Sequence, residues 1–391
     1  MKRIAFIEEG FLGSTLPLAK QLCKDGFAID IYYLDKIQEP ESTDCCFSTD
    51  GIGITKVPEQ KMKVIRSYAD CENLNLFLVK TMRPYKTVPV IRNIAEYIIK
   101  RQIRNIARQI DKQGYLLVNI VANYDMDRYI YFLQYLNSKV VLSLHEVLNH
   151  FNPSLKPSKL VKAAIQKEIE IIVFSKNSYN NIININGIIK DKIKIVPFGL
   201  FEAYSSIPQT PPMESLPAKY FLFYGYMLPY KGLSLIKEAV DILEDKMQDY
   251  KIVLAGRGND PILSQVITNK RFVVLPRFIP NRELAYIITN AYAVLCPYKT
   301  MSQSGIPQTT FVFNTPIIAS DLEGFKEIID NKNGILFKVN DAQALAEAML
   351  RLIEEEELRD LLSNNIRNFN VNYPLFDWGK IKDLYKLLFL Q

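Results

Sequence analysis

Tyr298-Lys299-Thr300-Met301-Ser302-Gln303-Ser304-Gly305-Ile306-Pro307-Gln308-Thr309-Thr310-Phe311 runs on through Val312 to Pro316 into Ile317-Ile318-Ala319-Ser320. An apolar strand, Ala291 to Cys296, precedes it. The small polar loop Ser302-Gln303-Ser304-Gly305 opens a helical stretch from Ile306 to Phe313. Asn314-Thr315-Pro316 turns the chain into a buried strand. Strand, loop, helix and strand make one β-α-β unit. Successive N–H groups at such a loop face outward where the peptide dipoles favour an anion. A phosphate-bearing ligand fits there; an ordinary βα turn is the alternative reading.

Working outward, the same alternation fills the chain. Upstream in the second half, Tyr220 to Tyr224, Lys251 to Leu254 and Phe272 to Leu275 read as strands, with helices between. In the first half, residues 4–7, 28–34, 115–121, 139–144, 171–174 and 192–196 read as strands. A helix from Leu16 to Asp25 follows the turn Gly10-Phe11-Leu12-Gly13-Ser14. Residues 40–60 are polar and turn-rich and read as a loop or hairpin. Pro208, Pro211, Pro212 and Pro217 stiffen a linker between the halves. This predicts an α/β protein of two parallel-sheet domains, residues 1–200 and 218–372, meeting at a cleft, with a C-terminal helix in 373–391.

Composition narrows the class. At 391 residues, 48% hydrophobic and 23% charged, the chain reads as globular with two cores. No apolar run approaches a membrane span. Glu8 and Glu9 end the first apolar run, so it predicts a strand and not a signal peptide. The five cysteines show no metal spacing and read as reduced thiols of a cytoplasmic protein. From Lys80 to Lys112 nine Lys or Arg face two acids, a surplus of +7 against +6 for the whole chain. A long helix from about Val90 to Gln113 carries Ile91, Ile94, Ile98, Ile103, Ile106 and Ile110 on one face and Lys100, Arg101, Arg104 and Arg108 largely on another. It reads either as a core helix with a solvated back or as a basic surface for an anionic membrane or polyanionic acceptor.

Strand ends of the second half carry small or basic elements. Tyr224 leads to Gly225 and Tyr230-Lys231-Gly232, Leu254 to Ala255-Gly256-Arg257-Gly258, and Leu275 to Pro276-Arg277-Phe278-Ile279. Glycines admit close backbone approach, and Lys231 suits a diphosphate as a compact point charge.

Order and spacing of these runs, with Pro316-Ile317-Ile318-Ala319-Ser320, Gly324, Glu327 and Gly334-Ile335-Leu336-Phe337, resemble the retaining family 4 glycosyltransferases of the GT-B fold. Gly13-Ser14, Leu144-His145-Glu146 and Ile193 to Gly199 match that family more loosely in the first half. The resemblance implies two Rossmann-like domains facing across a cleft, with the last helix crossing back to the first. It implies sugar transfer from a nucleotide-diphosphate donor to a glycan or lipid-linked acceptor in cell-surface polysaccharide assembly, without a metal or a cofactor. It assigns the diphosphate to Lys231 and to the amides of Ser304, Gly305 and Ile306, with Gly225 and Gly13 close to the donor. Phe278 and Ile279 flank the base, and His145 stands near the transferred sugar or is structural. The family's usual Glu-x7-Glu acids are replaced by Ser302 and Thr310, whose hydroxyls, with the Gln303 amide, remain to meet sugar and ribose. Loss of both acids leaves a non-catalytic nucleotide-sugar-binding or partner subunit as the alternative. A position at the inner face of the membrane follows from the family and the basic helix.

Overall fold

The computed structural model of the chain describes residues 1–35, 48, 51–82, 89–123, 127–147, 158–301, 304–368, 373 and 376–389. It divides into two units: Met1–Gly199 with Trp378–Gln391, and Leu200–Asp377.

The first unit is built on an eight-stranded sheet. Its strands are β1 (Arg3–Glu8), β2 (Ala28–Leu34), β3 (Gly53–Lys56), β4 (Leu74–Lys80), β5 (Leu117–Ala122), β6 (Val140–Leu144), β7 (Glu170–Val173) and β8 (Ile193–Ile195). They lie in the order β3-β4-β2-β1-β5-β6-β7-β8, and only β3, on the edge, runs antiparallel to its neighbour. Their apolar runs are buried on both faces, as helix-covered parallel strands require. β3 and β4 are strands that the sequence reading passed over.

The second unit has six parallel strands: β9 (Tyr220–Tyr224), β10 (Lys251–Ala255), β11 (Phe272–Leu275), β12 (Ala293–Cys296), β13 (Ile317–Ser320) and β14 (Gly334–Phe337). The order is β11-β10-β9-β12-β13-β14, the doubly wound arrangement. The direction of winding reverses between β9 and β12, which pair at Phe221 with Ala293 and Leu222 with Val294. In open α/β sheets ligands commonly sit at the carboxyl ends of the strands at such a reversal.

Three details depart from the sequence reading. The first helix begins at Leu12, so Gly13 and Ser14 lie in its first turn and not in a preceding loop. The long helix, Pro89–Asp111, buries Ala95, Ile99, Ile103, Ile106 and Ile110, while Ile94 is 57% exposed. Isoleucines occupy both sides of this helix, so spacing alone did not separate its faces. Finally, Cys23 and Cys71 are joined by a disulfide with Cα atoms 6.2 Å apart, which overturns the reduced state expected for that pair. Pairing of β2 with β4 brings the turn before β4 beside the first helix, a proximity that 48 residues of separation hid. Cys296 is a buried free thiol, and Cys45, Cys46 and His150 lie outside the described residues.

The C-terminal helix, Trp378–Phe389, packs on the first helix of the first unit. Lys382 and Lys386 both reach Asp25, at 3.0 and 2.6 Å, and hold its carboxyl below the usual range. Trp378 lies flat enough against Gly199 that a Cβ there would come 2.4 Å from the indole.

Candidate functional site

In the second unit Gly225, Lys231, Ser304, Gly305 and Ile306, among the sequence-predicted residues, follow the two strands at the reversal point of the sheet. Gly225 follows β9 with φ +107°, and its N–H donates to Ala255 O at 2.9 Å. That hydrogen bond extends the β9–β10 ladder by one residue. Lys231 ends a short 3-10 turn, Pro229–Lys231. Gly232, at φ +74°, sits so close to the exit of β12 that a Cβ would come 1.9 Å from Pro297 O. Lys299 N–H donates to Tyr230 O at 2.7 Å. The lysine turn is thereby fastened to the segment leaving β12.

The Lys231 ammonium then lies 3.5 Å from the point that a Cβ on Gly225 would occupy, with Ile306 Cδ1 at 3.9 Å from the same point. It also stands 5.3 Å from the centroid of the Tyr298 ring. Burial lowers the Lys231 pKa, and no carboxylate offsets that loss of hydration among the described residues. The neighbouring Cys296 thiol is pushed up to about 12 by burial. A half-buried, uncompensated cation facing a glycine is a site for an anion.

The loop after β12 completes this wall. Ser304 is buried, its Oγ accepting from Ile306 N–H at 3.3 Å and sharing a hydrogen bond with Tyr298. Gly305 faces the Phe201 ring. Thr310 is fully buried, and its hydroxyl lies 2.9 Å from that of Tyr224. Gln308 is also buried, with neither amide atom hydrogen-bonded among the described residues. Ser302 and Gln303 lie outside the described residues. Phe278 and Ile279 follow β11, two strands from the reversal point, with Arg257 5.5 Å over the Phe278 ring.

Gly13 and His145 belong to the first unit. The His145 ring stacks on Phe11 at 4.1 Å and meets Phe174 at 4.6 Å and Phe198 at 5.0 Å. Its Nε2 has no partner among the described residues. Burial alone lowers its pKa to about 3, so the imidazole is neutral and cannot serve as a cation at neutral pH. No group of His, Cys, Asp or Glu suited to a metal ion occurs among the described residues.

Tyr224 and Tyr298 are the functional neighbours that sequence reasoning missed. Tyr224 ends β9 and Tyr298 lies two residues beyond the end of β12, and this place at the reversal point is the signal that would have found them.

Residues 213–369 match the model of the family described as glycosyl transferases group 1. The second unit is a group 1 glycosyltransferase domain. An uncharacterized glycosyltransferase of Methanocaldococcus jannaschii is 26% identical over 240 residues, 59% of this chain and 61% of that protein. A phosphatidyl-myo-inositol mannosyltransferase of Mycobacterium leprae is 27% identical over 173 residues, 42% of this chain and 45% of that protein. The chain thus spans about half to three-fifths of the length of these curated relatives. The sucrose-phosphate synthase structure from Thermosynechococcus elongatus superposes with a TM-score of 0.67 at 16% identity, covering 100% of both chains. The fold is GT-B.

Proposed function

We propose that this protein is a retaining glycosyltransferase that moves a hexose or deoxyhexose from a nucleoside-diphosphate donor to a glycan or lipid-linked acceptor. The observation that carries the reading is Lys231, half-buried without a carboxylate partner among the described residues, beside Gly225 at the reversal point of a group 1 domain. Departure of the diphosphate builds negative charge. A fixed ammonium and main-chain amides aimed at that charge lower the barrier, typically by several kcal/mol. The chain is proposed to do this without a metal or cofactor, since the ammonium and amides supply the counter-charge. Neutral His145 is proposed as a contact for the transferred sugar and Ser302 as a hydroxyl near it. Phe278 and Ile279 would flank the base.

The acceptor is proposed to belong to cell-surface polysaccharide assembly at the cytoplasmic face of a membrane. Support comes from the long helix of the first unit, where Ile94 and Tyr97 are exposed beside Arg101, Arg104 and Arg108. No described helix is long and apolar enough to cross a membrane, so contact would be peripheral. The Cys23–Cys71 disulfide is the observation that pulls against a reducing compartment.

One feature favours a second reading, a binding or partner subunit without turnover: residues 298–320 contain no carboxylate. Thermal-shift screening against UDP-, GDP- and TDP-sugars, followed by slow donor hydrolysis, separates the two. A ligand at 100 times its Kd adds about 2.7 kcal/mol of stability. A shift with hydrolysis supports the transferase, a shift without it the binding subunit, and no shift with any donor removes both.

A further inference from the structure

We propose that Tyr224 is the positioning residue of the donor site, tying the loop after β12 to the end of β9 through a two-step hydroxyl relay. The inference rests on the reading of Lys231 and the Ser304–Ile306 segment as the diphosphate wall.

Two parts of that wall come from different strands. Lys231 and Gly225 depend on the segment after β9, whereas Ser304, Gly305 and Ile306 lie on the segment after β12. Parallel strands end here, so no ladder continues between the two segments. The stretch from Tyr298 to Ser320 carries no charged acceptor that could bind them together. The Lys299 N–H to Tyr230 O bond joins the two segments near their start, and Tyr224 adds a second link at the helix that carries the amides. Its hydroxyl lies 3.0 Å from Ile306 O and 2.9 Å from Thr310 Oγ1. A carbonyl can only accept, so Tyr224 gives its single proton to Ile306 O. The Thr310 hydroxyl must then donate to the Tyr224 oxygen. Both ends of the short helix Ile306–Thr310 are thereby held by one side chain.

Both hydroxyl-bearing members of the relay are buried: Tyr224 is 6% exposed and Thr310 0%. A relay shielded from water keeps its geometry, because a broken bond inside leaves a polar group without water. Tyr224 directly precedes Gly225, so the same residue also sets where the glycine faces Lys231. The neighbouring Thr309 hydroxyl closes on Gly305 O at 3.1 Å, which stiffens the first turn from within. The relay therefore fixes the spacing between ammonium and amides before a ligand arrives, and it does so with neutral groups that add no charge to repel a diphosphate.

The test is nucleotide affinity of the full chain, measured by calorimetry with UDP, GDP and TDP well below the melting temperature. Using the diphosphate that binds the parent most tightly, Tyr224→Phe and Thr310→Val should each weaken binding about fivefold. The double variant should be no worse than Tyr224→Phe alone, since both cut one relay. Thr310→Ser, which keeps the hydroxyl, should restore parental affinity. A purely structural role would lower the melting temperature of Tyr224→Phe and leave its affinity intact; that result overturns the proposal. Should Tyr224→Phe fail to fold, Thr310→Val decides, and unchanged affinity there is equally fatal. A parent that binds no nucleoside diphosphate overturns the donor reading and this proposal with it, whereas tight binding by parent and variants alike overturns the relay alone.

Discussion

The Lys231 ammonium stands 3.5 Å from where a side chain on Gly225 would begin. The glycine thus holds open the space beside the charge. Gly225→Ala fills that space and strains a backbone at φ +107°. Its effect should be loss of nucleotide-dependent stabilisation together with a fall in stability of about 1–2 kcal/mol. Lys231→Met should abolish the same nucleotide shift but act oppositely on the unliganded protein. Burial lowers the Lys231 pKa below its unfolded value, so the unfolded state binds the proton better and charged Lys231 opposes folding at neutral pH. That opposition fades as pH rises through the lowered pKa. Lys231→Met should therefore melt at or above the parent without ligand. A variant that melts lower and still responds to UDP, GDP or TDP would remove Lys231 from the site.

His145 gives the first unit a pH dependence with a definite sign. Its pKa is about 3 in the fold because of burial, against 6.5 for the free side chain. Above pH 6.5 both states are neutral and nothing is lost. Below it the unfolded chain gains a proton that the buried ring does not, so stability falls from pH 6.5 towards 3. At pH 5 the loss is about 2 kcal/mol. His145→Phe keeps a ring among Phe11, Phe174 and Phe198 and removes the titration. Denaturant unfolding at pH 7.5 and 5 should show a smaller acid loss in the variant. Equal losses would assign the acid sensitivity to other groups.

What was legible in the chain follows from physics that acts locally. Strand–helix alternation and glycines at strand ends are read residue by residue, and they were enough for the fold class. β4 escaped because Leu74-Asn75-Leu76 interrupts its apolar run, and β3 because it is a short edge strand in a polar segment. The partners of buried polar groups were not legible at all. Tyr224 and Thr310 are 86 residues apart, and nothing near either predicts that their hydroxyls meet. The same holds for the disulfide between Cys23 and Cys71. On the long helix, isoleucine at both Ile94 and Ile99 made either side a plausible core face; only packing against the sheet selected Ile99.

Gly199 and Trp378 are the last and first residues of the first unit at its two chain crossings, and they touch. An alanine at 199 would place its Cβ 2.4 Å from the indole, which must shift. Gly199→Ala should destabilise by about 1–3 kcal/mol. Shrinking the partner in Trp378→Phe should recover part of that cost, so the two changes together should be less harmful than their sum. Additive losses would show that the two positions are energetically independent.

The long helix separates charge from apolar contact in a way that liposomes can read. Lys100 is paired with Glu96 at 2.8 Å and lies over Tyr131, and Arg104 lies over Tyr135, so these two are partly engaged within the unit. Arg92, Arg101 and Arg108 are exposed, and Ile94 and Tyr97 are 57% and 68% exposed beside them. Each basic side chain near an anionic surface contributes about 1 kcal/mol and is screened by salt, whereas insertion of an apolar side chain is not. Replacing Arg92, Arg101 and Arg108 by Gln should therefore weaken binding to anionic vesicles most strongly at low salt. Replacing Ile94 and Tyr97 by Ser should weaken it about equally at low and high salt. These side chains bury little in the fold, so neither set should lower the melting temperature by more than a degree or two. Partitioning of both variants equal to the parent would leave the helix only its structural role in the core of the first unit.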